Sequence, residues 1–444
     1  KRLDAAAAAT AGRSGTLLIE GSSGMGATRL IDEALVRLAA DPAADAMGPV
    51  VVRGDDLPAW RGAPYAPFRV ALERLLAGRP DDEVTRLLGH GAELLLPLLP
   101  RTAARLAPGE HEAATRERLA ERVHEAIRGV VCRLAEDAPV VVVLEDLHVL
   151  DAASRSLLAF IARTVGERPI LLIGSYQPEA LGRGHPLRAT LDAVASGPRP
   201  PVRLGVAPLD RAALRAFIAA REGEAPSAPT LLLVAERSGG SPLVAEEILI
   251  ARRELSGASL SVPLEQVVVA RAAHRTPECR RVLRILSAAA GPLEPARLGA
   301  VAAAYDAGVG RPAPRSSGAP RRGGDGLSGD LVAGVGEAIA HGFVERIDDP
   351  SGPARPAGGR STGRSSRGAP LLRIRHELVA AALRADLLPG PRRRMHAAFA
   401  EALDDRPEEA GRHWRDAHEA DRELRSEVAS AAAAEEAGAA VDAL

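Results

Sequence analysis

The sequence has 444 residues, of which 46% are hydrophobic and 26% are charged, and its formal net charge is −1 at pH 7. That balance is ordinary for a globular protein, and near-neutrality excludes a whole-chain attraction to nucleic acid or to acidic membranes. At ~150 residues per domain, the length suggests three domains.

The cysteines and the chain ends set further limits. Cys132 and Cys279 lie far apart in helical segments without a metal-ligand or disulfide pattern, so we expect both to be buried. No apolar run approaches the ~18 residues of a membrane span, and no secretory signal is visible. We therefore expect a cytoplasmic protein with no membrane partner. Residues 1–12 form an alanine-rich lead, and we expect both ends to continue into a longer chain, because the first residue is not Met and the last helical segment is cut short.

A glycine-rich stretch follows the apolar run of residues 16–20 and precedes a helical pattern. Strand, glycine-rich turn and helix are the setting of a phosphate-binding P-loop, in which backbone N–H groups and the helix N-terminus face phosphate oxygens. The pattern is G-x-x-x-x-G-K-[ST], and Gly21, Gly26 and Thr28 fit it. We call residues 21–29 the glycine loop; its candidate nucleotide-binding residues are Gly21, Ser22, Ser23, Gly24, Met25, Gly26, Ala27, Thr28 and Arg29.

Ala27 stands at the lysine position of this pattern. Lys1 is the only lysine of the chain, so no neighbouring lysine replaces the missing ammonium. Arg29 comes two positions later, and its side chain should leave the helix in another direction. Without its lysine the motif alone is equally compatible with a plain tight turn. Thr28 is expected to place its hydroxyl on Mg²⁺, the alternative being an ordinary threonine at a helix N-terminus.

Strands and helices alternate after the loop, which indicates an α/β fold with a doubly wound parallel sheet. We predict strands at residues 49–54, 139–144 and 169–176, a helix from residue 64 to 76, mostly helix over 80–135, and a helix over 152–165.

Two acids, Glu145 and Asp146, follow the all-apolar strand of residues 139–144. Such a run is typical of a parallel strand that is covered on both faces. Acids at its end are what a Walker B element provides: one carboxylate holds Mg²⁺ and the other polarises the attacking water. We predict this role for both residues, which we call the acidic pair, the alternative being a solvated strand end. His148 is expected to pack beside them in a structural role.

The carboxyl ends of the strands are where doubly wound sheets bind ligands. The glycine loop, the acidic pair and residues 175–177 all lie at such ends, and their convergence predicts a nucleotide site. Gln177 is a candidate neutral phosphate sensor.

The second half of the sequence is mostly helical. Asp210 is a plausible N-cap of a helix that reaches Ala220, and residues 237–243 separate two helices within 229–250. We expect helices within 261–305 and 329–344, then a short strand at 373–375 and a helix from His376. From Pro391 onward the spacing suggests packed helix pairs. The low-complexity stretches 308–328 and 349–368 cannot bury much apolar surface and are expected to be mobile surface loops.

Taken in order, these segments resemble the ATP-binding region of STAND-type AAA+ proteins, in particular that of large bacterial LuxR-family transcriptional regulators and of related cyclase-linked ATPases. The motifs are the glycine loop, P-Y-A-P-F at 64–68, L-E-D-L-H at 144–148, S-Y-Q-P-E at 175–179, H-P-L at 185–187, P-L at 208–209, G-S-P at 240–242 with Glu246 and Glu247, R-H-E-L-V at 375–379 and R-R-R-M-H at 392–396.

The resemblance implies an ATP/ADP-dependent switch with Mg²⁺. Its expected parts are a P-loop NTPase domain at 13–205, a helical lid at 206–260, a winged-helix-like domain at 261–386 that contains both low-complexity insertions, and the start of TPR-like repeats at 387–444. Self-association and an unknown effector acting on downstream repeats are the implied partners. DNA would be bound only by a C-terminal domain that these residues do not contain.

Departures from the family pattern accompany the resemblance. Besides Ala27, Gln177 stands where the family usually has an arginine, Glu145 replaces the more frequent Asp and Val149 replaces a Trp. A charge-assisted contact contributes roughly 1.5–3 kcal/mol, so losing two cations weakens binding by roughly two to four orders of magnitude. We expect weakened binding and hydrolysis that is slow or absent.

For several residues, both a functional and a structural role are compatible with the sequence. Arg237 and Pro242 lie near the adenine or at a lid hinge, or they form an ordinary helix break. Arg375 and His376 approach the nucleotide from the winged helix, or they are structural. For the protein as a whole, the alternative to a nucleotide switch is a pseudo-ATPase scaffold that mediates protein–protein interaction without nucleotide. The sequence shows no constellation of nucleophile and base that would support a hydrolytic enzyme with a small-molecule substrate.

Overall fold

The computed structural model describes residues 14–40, 48–54, 64–106, 116–255, 263–289, 291–308, 327–347, 370–403 and 407–436. The lead at 1–12, the stretch 349–368 and most of the stretch 308–328 lie outside these residues. The chain divides into two compact units, one built on Lys1–Ala207 and the other on Pro208–Asp349 with Arg364–Ala434.

The first unit alternates strands and helices, as predicted. Its elements are β1 (Gly15–Glu20), α1 (Ala27–Ala39), β2 (Val50–Gly54), α2 (Ala66–Ala77), α3 (Asp81–Leu88), α4 (Ala92–Leu95), α5 (Pro100–Leu106), α6 (Arg116–Asp137), β3 (Val140–Leu144), α7 (Ala152–Thr164), β4 (Ile170–Tyr176), α8 (Leu187–Ala195) and β5 (Val202–Gly205).

The strands form one parallel sheet in the order β2-β3-β4-β1-β5. Side chains of β3 alternate between its faces: Val140 and Val142 pack with α2, α6 and α7, whereas Val141 and Val143 pack with α1. Helices therefore cover both faces, which confirms the predicted doubly wound α/β sheet of a P-loop NTPase fold. The strand β5 was not predicted, because its four residues are mostly exposed and do not form an apolar run.

The second unit is helical apart from a two-stranded antiparallel hairpin. Its elements are α9 (Arg211–Glu222), α10 (Ala228–Ser238), α11 (Pro242–Glu254), α12 (Leu264–Ala273), α13 (Pro277–Ala288), α14 (Pro295–Gly308), α15 (Gly329–Ala340), β6 (Val344–Ile347), β7 (Leu371–Ile374), α16 (Glu377–Ala385), α17 (Pro389–Ala402), α18 (Pro407–Ala417) and α19 (Ala420–Glu436).

Two details of this unit bear on the sequence interpretation. Asp210 caps α9 as predicted, because its Oδ1 accepts a hydrogen bond from Ala213 N at 2.7 Å. The helix expected over 329–344 ends at Ala340, however, and Val344 begins β6. No helix in the described part of the chain is long and apolar enough to cross a membrane. Both cysteines are buried thiols, as expected.

A buried arginine ties α11 to α12 within the second unit. Arg271 is 0% exposed and forms an ion pair with Glu247, while its Nε donates to Glu254 at 2.9 Å. Its Nη2 donates to the carbonyl of His341 at 2.6 Å, and its guanidinium lies 4.3 Å from the ring centroid of Phe343. Because removing one partner of a buried pair leaves a desolvated charge, this network holds the two helices and the turn before β6 together.

Two histidines face each other between α17 and α18. Nδ1 of His396 lies 3.0 Å from Nδ1 of His413, both side chains are buried, and His413 stacks on Phe399 at 4.7 Å. Burial, reinforced by His396, lowers the pKa of His413 to about 3. The folded protein therefore keeps this imidazole neutral where an unfolded chain would protonate it.

We predict that His413 makes the second unit acid-sensitive. In the unfolded chain a histidine has a pKa of ~6.5, so below this pH the unfolded state takes up a proton that the folded state does not. The free energy of unfolding is therefore unaffected above this pH and decreases as the pH falls below it. Between pH 7 and 5 the loss should be roughly 2 kcal/mol. His413→Leu should remove this component, and His274→Gln, at an exposed position, should retain it. Denaturant unfolding followed by tryptophan fluorescence measures both; equal pH dependence in His413→Leu and the unaltered chain would contradict the prediction.

Candidate functional site

The register of the sheet brings the predicted site segments to one edge. Glu20 at the end of β1 is paired with Tyr176 at the end of β4, and Leu144 at the end of β3 is paired with Gly174. The strand ends therefore lie close together, and they are followed by the glycine loop, the acidic pair and Gln177. A hydrogen bond from Gly21 N to the carbonyl of Tyr176, at 3.2 Å, holds the start of the loop against β4.

The glycine loop has backbone angles that favour glycine. Gly24 and Gly26 have φ angles of 80° and 90°, in the left-handed region. A Cβ atom at Gly21 would lie 3.2 Å from the Cβ of Val206, which follows β5. Gly26 is the N-cap of α1 and makes no side-chain capping hydrogen bond. The first N–H groups of a helix have no acceptor within the helix, so those of α1 can donate to an anion bound at the loop.

The side chains at the start of α1 supply a hydroxyl but no ammonium. Ala27 is the first residue of α1, and its methyl group is half-buried. Thr28 and Arg29 are exposed, so the Thr28 hydroxyl is accessible from solvent beside the loop.

The acidic pair has two different environments. Glu145 is half-buried, with a side chain that is 15% exposed, whereas Asp146 is exposed. Asp146 has a φ angle of 51°, uncommon for a residue with a side chain, and its N–H donates to Ser175 Oγ at 3.3 Å. This bond ties the turn after β3 to the end of β4.

An arginine that the sequence analysis did not single out contacts Glu145. Nε of Arg53, on β2, donates to Oε1 of Glu145 at 3.0 Å, and its Nη2 contacts the same oxygen. Its Nη1 donates to Oδ1 of Asp32 on α1 at 2.5 Å. Burial lowers the pKa of Arg53, but the charges of Glu145 and Asp32 outweigh burial and raise it. The guanidinium is therefore a permanent cation that joins α1 to the end of β3.

A second ion pair lies before the loop. The hydroxyl of Tyr176 donates to Oε1 of Glu20, and Nη1 of Arg203 on β5 lies 3.3 Å from the same oxygen. Burial and the bond to Glu20 raise the pKa of Tyr176 to about 12, so the phenol remains protonated.

Asp151, three residues after His148 in the sequence, has a structural role. Its Oδ1 accepts hydrogen bonds from Ser154 N at 2.8 Å and from Tyr65 N at 3.3 Å, and its Oδ2 accepts from the Ser154 hydroxyl. It caps α7 and also holds Tyr65, whose φ angle is 61°, before α2. Asp151 thus fixes the position of both helices.

The remaining predicted residues are Gln177 in the first unit and Pro242 and Arg237 in the second. Gln177 is half-buried, and its carbonyl accepts a hydrogen bond from Ala180 N at 3.2 Å. Pro242 belongs to the second unit, where it begins α11 beside the capping hydroxyl of Ser241. Arg237 lies in the last turn of α10.

The residues present fit a nucleotide phosphate and Mg²⁺, apart from the missing lysine. The loop offers N–H donors at a helix N-terminus, and Thr28, Glu145 and Asp146 offer the oxygen ligands that Mg²⁺ prefers. Among the described residues, no cluster of three or more His, Cys, Asp or Glu side chains forms an all-protein metal cage. That is the usual situation for Mg²⁺, which binds one or two carboxylates together with substrate phosphates.

Known proteins with similar sequences include ATPases. Residues 1–173 match the family model described as AAA ATPase domain. The matched residues fall within the first unit. An uncharacterized protein of Rhizobium meliloti (strain 1021) is 29% identical over 255 residues, which cover 54% of this chain and 23% of that protein. The chain thus spans about a quarter of the length of this relative.

Two solved structures are similar to this chain in fold to different degrees. A STAND protein with a tetratricopeptide repeat sensor from Pyrococcus horikoshii has a TM-score of 0.50 at 12% identity, covering 94% of this chain and 48% of that chain. At this identity the likeness concerns the fold alone: a parallel five-stranded sheet with helices, followed by many further helices. The Walker-type ATPase of Pyrococcus abyssi has a TM-score of 0.36 at 12% identity, covering 86% of this chain and 95% of that one, which is too weak to support a structural argument.

We predict that Asp151→Ala destabilises the first unit by about 1–2 kcal/mol, because it removes a helix cap and the acceptor for Tyr65. The control is Asp210→Ala, which removes an exposed cap in the second unit and should cost about 1 kcal/mol at most. Denaturant titration measures both. Unchanged stability of Asp151→Ala would show that the hydrogen bonds of Asp151 contribute nothing to the fold.

Proposed function

We propose that this chain is the ATP/ADP-binding switch module of a STAND-type signalling ATPase. The observation that carries the proposal is the glycine loop, with positive φ at Gly24 and Gly26 and an uncapped helix N-terminus, at the same sheet edge as the acidic pair. Residues 21–29 would hold the phosphates, and Thr28, Glu145 and Asp146 would hold Mg²⁺. Bound Mg²⁺ would supply charge neutralisation at the phosphates, and Gln177 would contact them as a neutral donor.

The second unit would act as the lid and regulatory part of the switch. We retain a helical lid at 206–260 with Pro242 near its hinge, a winged-helix-like domain at 261–386 and the start of TPR-like repeats at 387–444. The order α13, a β-bridge between Leu293 and Leu372, α14, α15 and the β6–β7 hairpin supports the winged-helix proposal. The packed helix pair α17–α18, in which His396 contacts His413, supports the repeat proposal.

The wider context is proposed from the ordered sequence motifs. We infer that the module is part of a LuxR-family transcriptional regulator, in which an effector would act on downstream repeats and a separate domain would bind DNA. The alternative is a pseudo-ATPase scaffold that keeps the fold without nucleotide. The observation that favours this alternative is Ala27.

Calorimetry with ADP and ATP in the presence of Mg²⁺ separates the two proposals. We expect the unaltered chain to bind nucleotide at micromolar concentrations. Ala27→Lys should tighten binding roughly 10- to 100-fold, the equivalent of one charge-assisted contact. Ala39→Lys, at an exposed position near the other end of α1, is the matched control and should change little. Binding by Ala27→Lys alone would favour the scaffold.

We further predict hydrolysis that is slow or absent, because phosphoryl transfer depends on positioned cations that Ala27 and Gln177 do not provide. Phosphate release from saturating ATP should be indistinguishable between the unaltered chain and Glu145→Gln. An ordinary turnover of roughly one per second or more that is abolished in Glu145→Gln would contradict this prediction.

A further inference from the structure

The charges at the sheet edge leave an electrostatic problem for any nucleotide. Asp32, Glu145 and Asp146 are three carboxylates, and the guanidinium of Arg53 is the cation that contacts two of them. An anionic phosphate entering such a surplus of acid would gain from a cationic side chain in addition to the N–H groups of the loop and the proposed Mg²⁺. In ordinary P-loops a lysine at position 27 would be that partner.

Arg53 lies where it can serve as this partner. It pairs with Val143 in the register of β2 and β3, so its side chain leaves the sheet close to the carboxyl ends of the strands. The side chain is 24% exposed and therefore reaches solvent. Its contact on α1 is Asp32, four residues after Thr28.

The contact with Asp32 determines how close the Arg53 guanidinium comes to the glycine loop. Four residues of helix rise about 6 Å, which is about one turn, and helical side chains lean toward the N-terminus. The carboxylate of Asp32 therefore extends along α1 toward Thr28, and it holds the guanidinium of Arg53 on the side of α1 that leads to the loop. A lysine at position 27 would extend its ammonium over a similar distance.

We propose that Arg53 replaces the absent lysine and binds the terminal phosphate of the nucleotide, an inference that rests on the proposed nucleotide site. On binding, the guanidinium exchanges the carboxylate of Asp32 for phosphate oxygens and keeps its contact with Glu145. Asp32 is 51% exposed, so its carboxylate returns to water at little cost. Guanidinium forms paired hydrogen bonds with phosphate and carboxylate alike, so one group suits both partners.

The test is calorimetry with ADP and ATP on a cycle of variants: the unaltered chain, Arg53→Gln, Ala27→Lys and the double variant. Arg53→Gln should weaken ATP binding about tenfold or more and ADP binding less, because the terminal phosphate is the one contacted. Adding Ala27→Lys to Arg53→Gln should restore the ATP affinity at least to that of the unaltered chain. If Arg53 were purely structural, Ala27→Lys would increase ATP affinity by the same factor with and without Arg53→Gln, whereas a shared role predicts a larger gain in the Arg53→Gln background.

Two further variants keep the test informative. Arg203→Gln removes another arginine that pairs with a carboxylate at this edge, and it should change binding less than threefold. Asp32→Asn removes the carboxylate that competes with phosphate, and it should tighten ATP binding about threefold even if Arg53→Gln folds poorly. Circular dichroism and melting temperature report folding for each variant.

Equal or tighter ATP binding by Arg53→Gln, or weaker binding by Asp32→Asn, would overturn the role of Arg53. If the unaltered chain binds neither nucleotide, the proposed function fails as well. If it binds both and Arg53→Gln does not differ from it, only the role of Arg53 is lost.

Discussion

The parallel register of β1, β3 and β4 is the constraint on which the candidate site depends. It ends the three strands within two residues of one another, so that the glycine loop, Glu145 and the Ser175 hydroxyl lie at a common edge. Alternating apolar side chains pack against helices on both faces, which fixes this register because a slip by one residue would exchange the two faces. The position of the site thus follows from the packing of the core.

Charge at this edge distinguishes the site from an ordinary P-loop. The loop has positive φ angles at Gly24 and Gly26, but Ala27 provides no cation, and Asp32 on α1 and the acidic pair after β3 bring carboxylates to this edge. A chain with a single lysine must use arginine for permanent positive charge elsewhere. The bridge from Arg53 to Asp32 and Glu145 keeps such a charge beside the loop in the absence of phosphate. The backbone of the site and its electrostatics are therefore supplied by different elements.

The sequence predicts the parts of this fold that rest on local patterns. The apolar runs of β1 to β4 are unmistakable, and Asp210 precedes its helix as a capping residue should. The strand β5 has mostly exposed residues and packs against the core through Leu204, so no hydrophobic run marks it. Arg53 and Glu145 are 92 residues apart, and their contact depends on the pairing of β2 with β3. Arg271 resembles any surface arginine of a helix until the packing around it is known.

The most direct test of the account is amide hydrogen exchange of the glycine loop with and without saturating Mg²⁺–ADP. The account predicts slower exchange at Gly24–Thr28, where N–H groups would bind phosphate, and smaller changes at the amides of β5. Unchanged exchange in the loop at an ADP concentration that saturates calorimetric binding would mean that nucleotide binds elsewhere, and it would contradict the central claim.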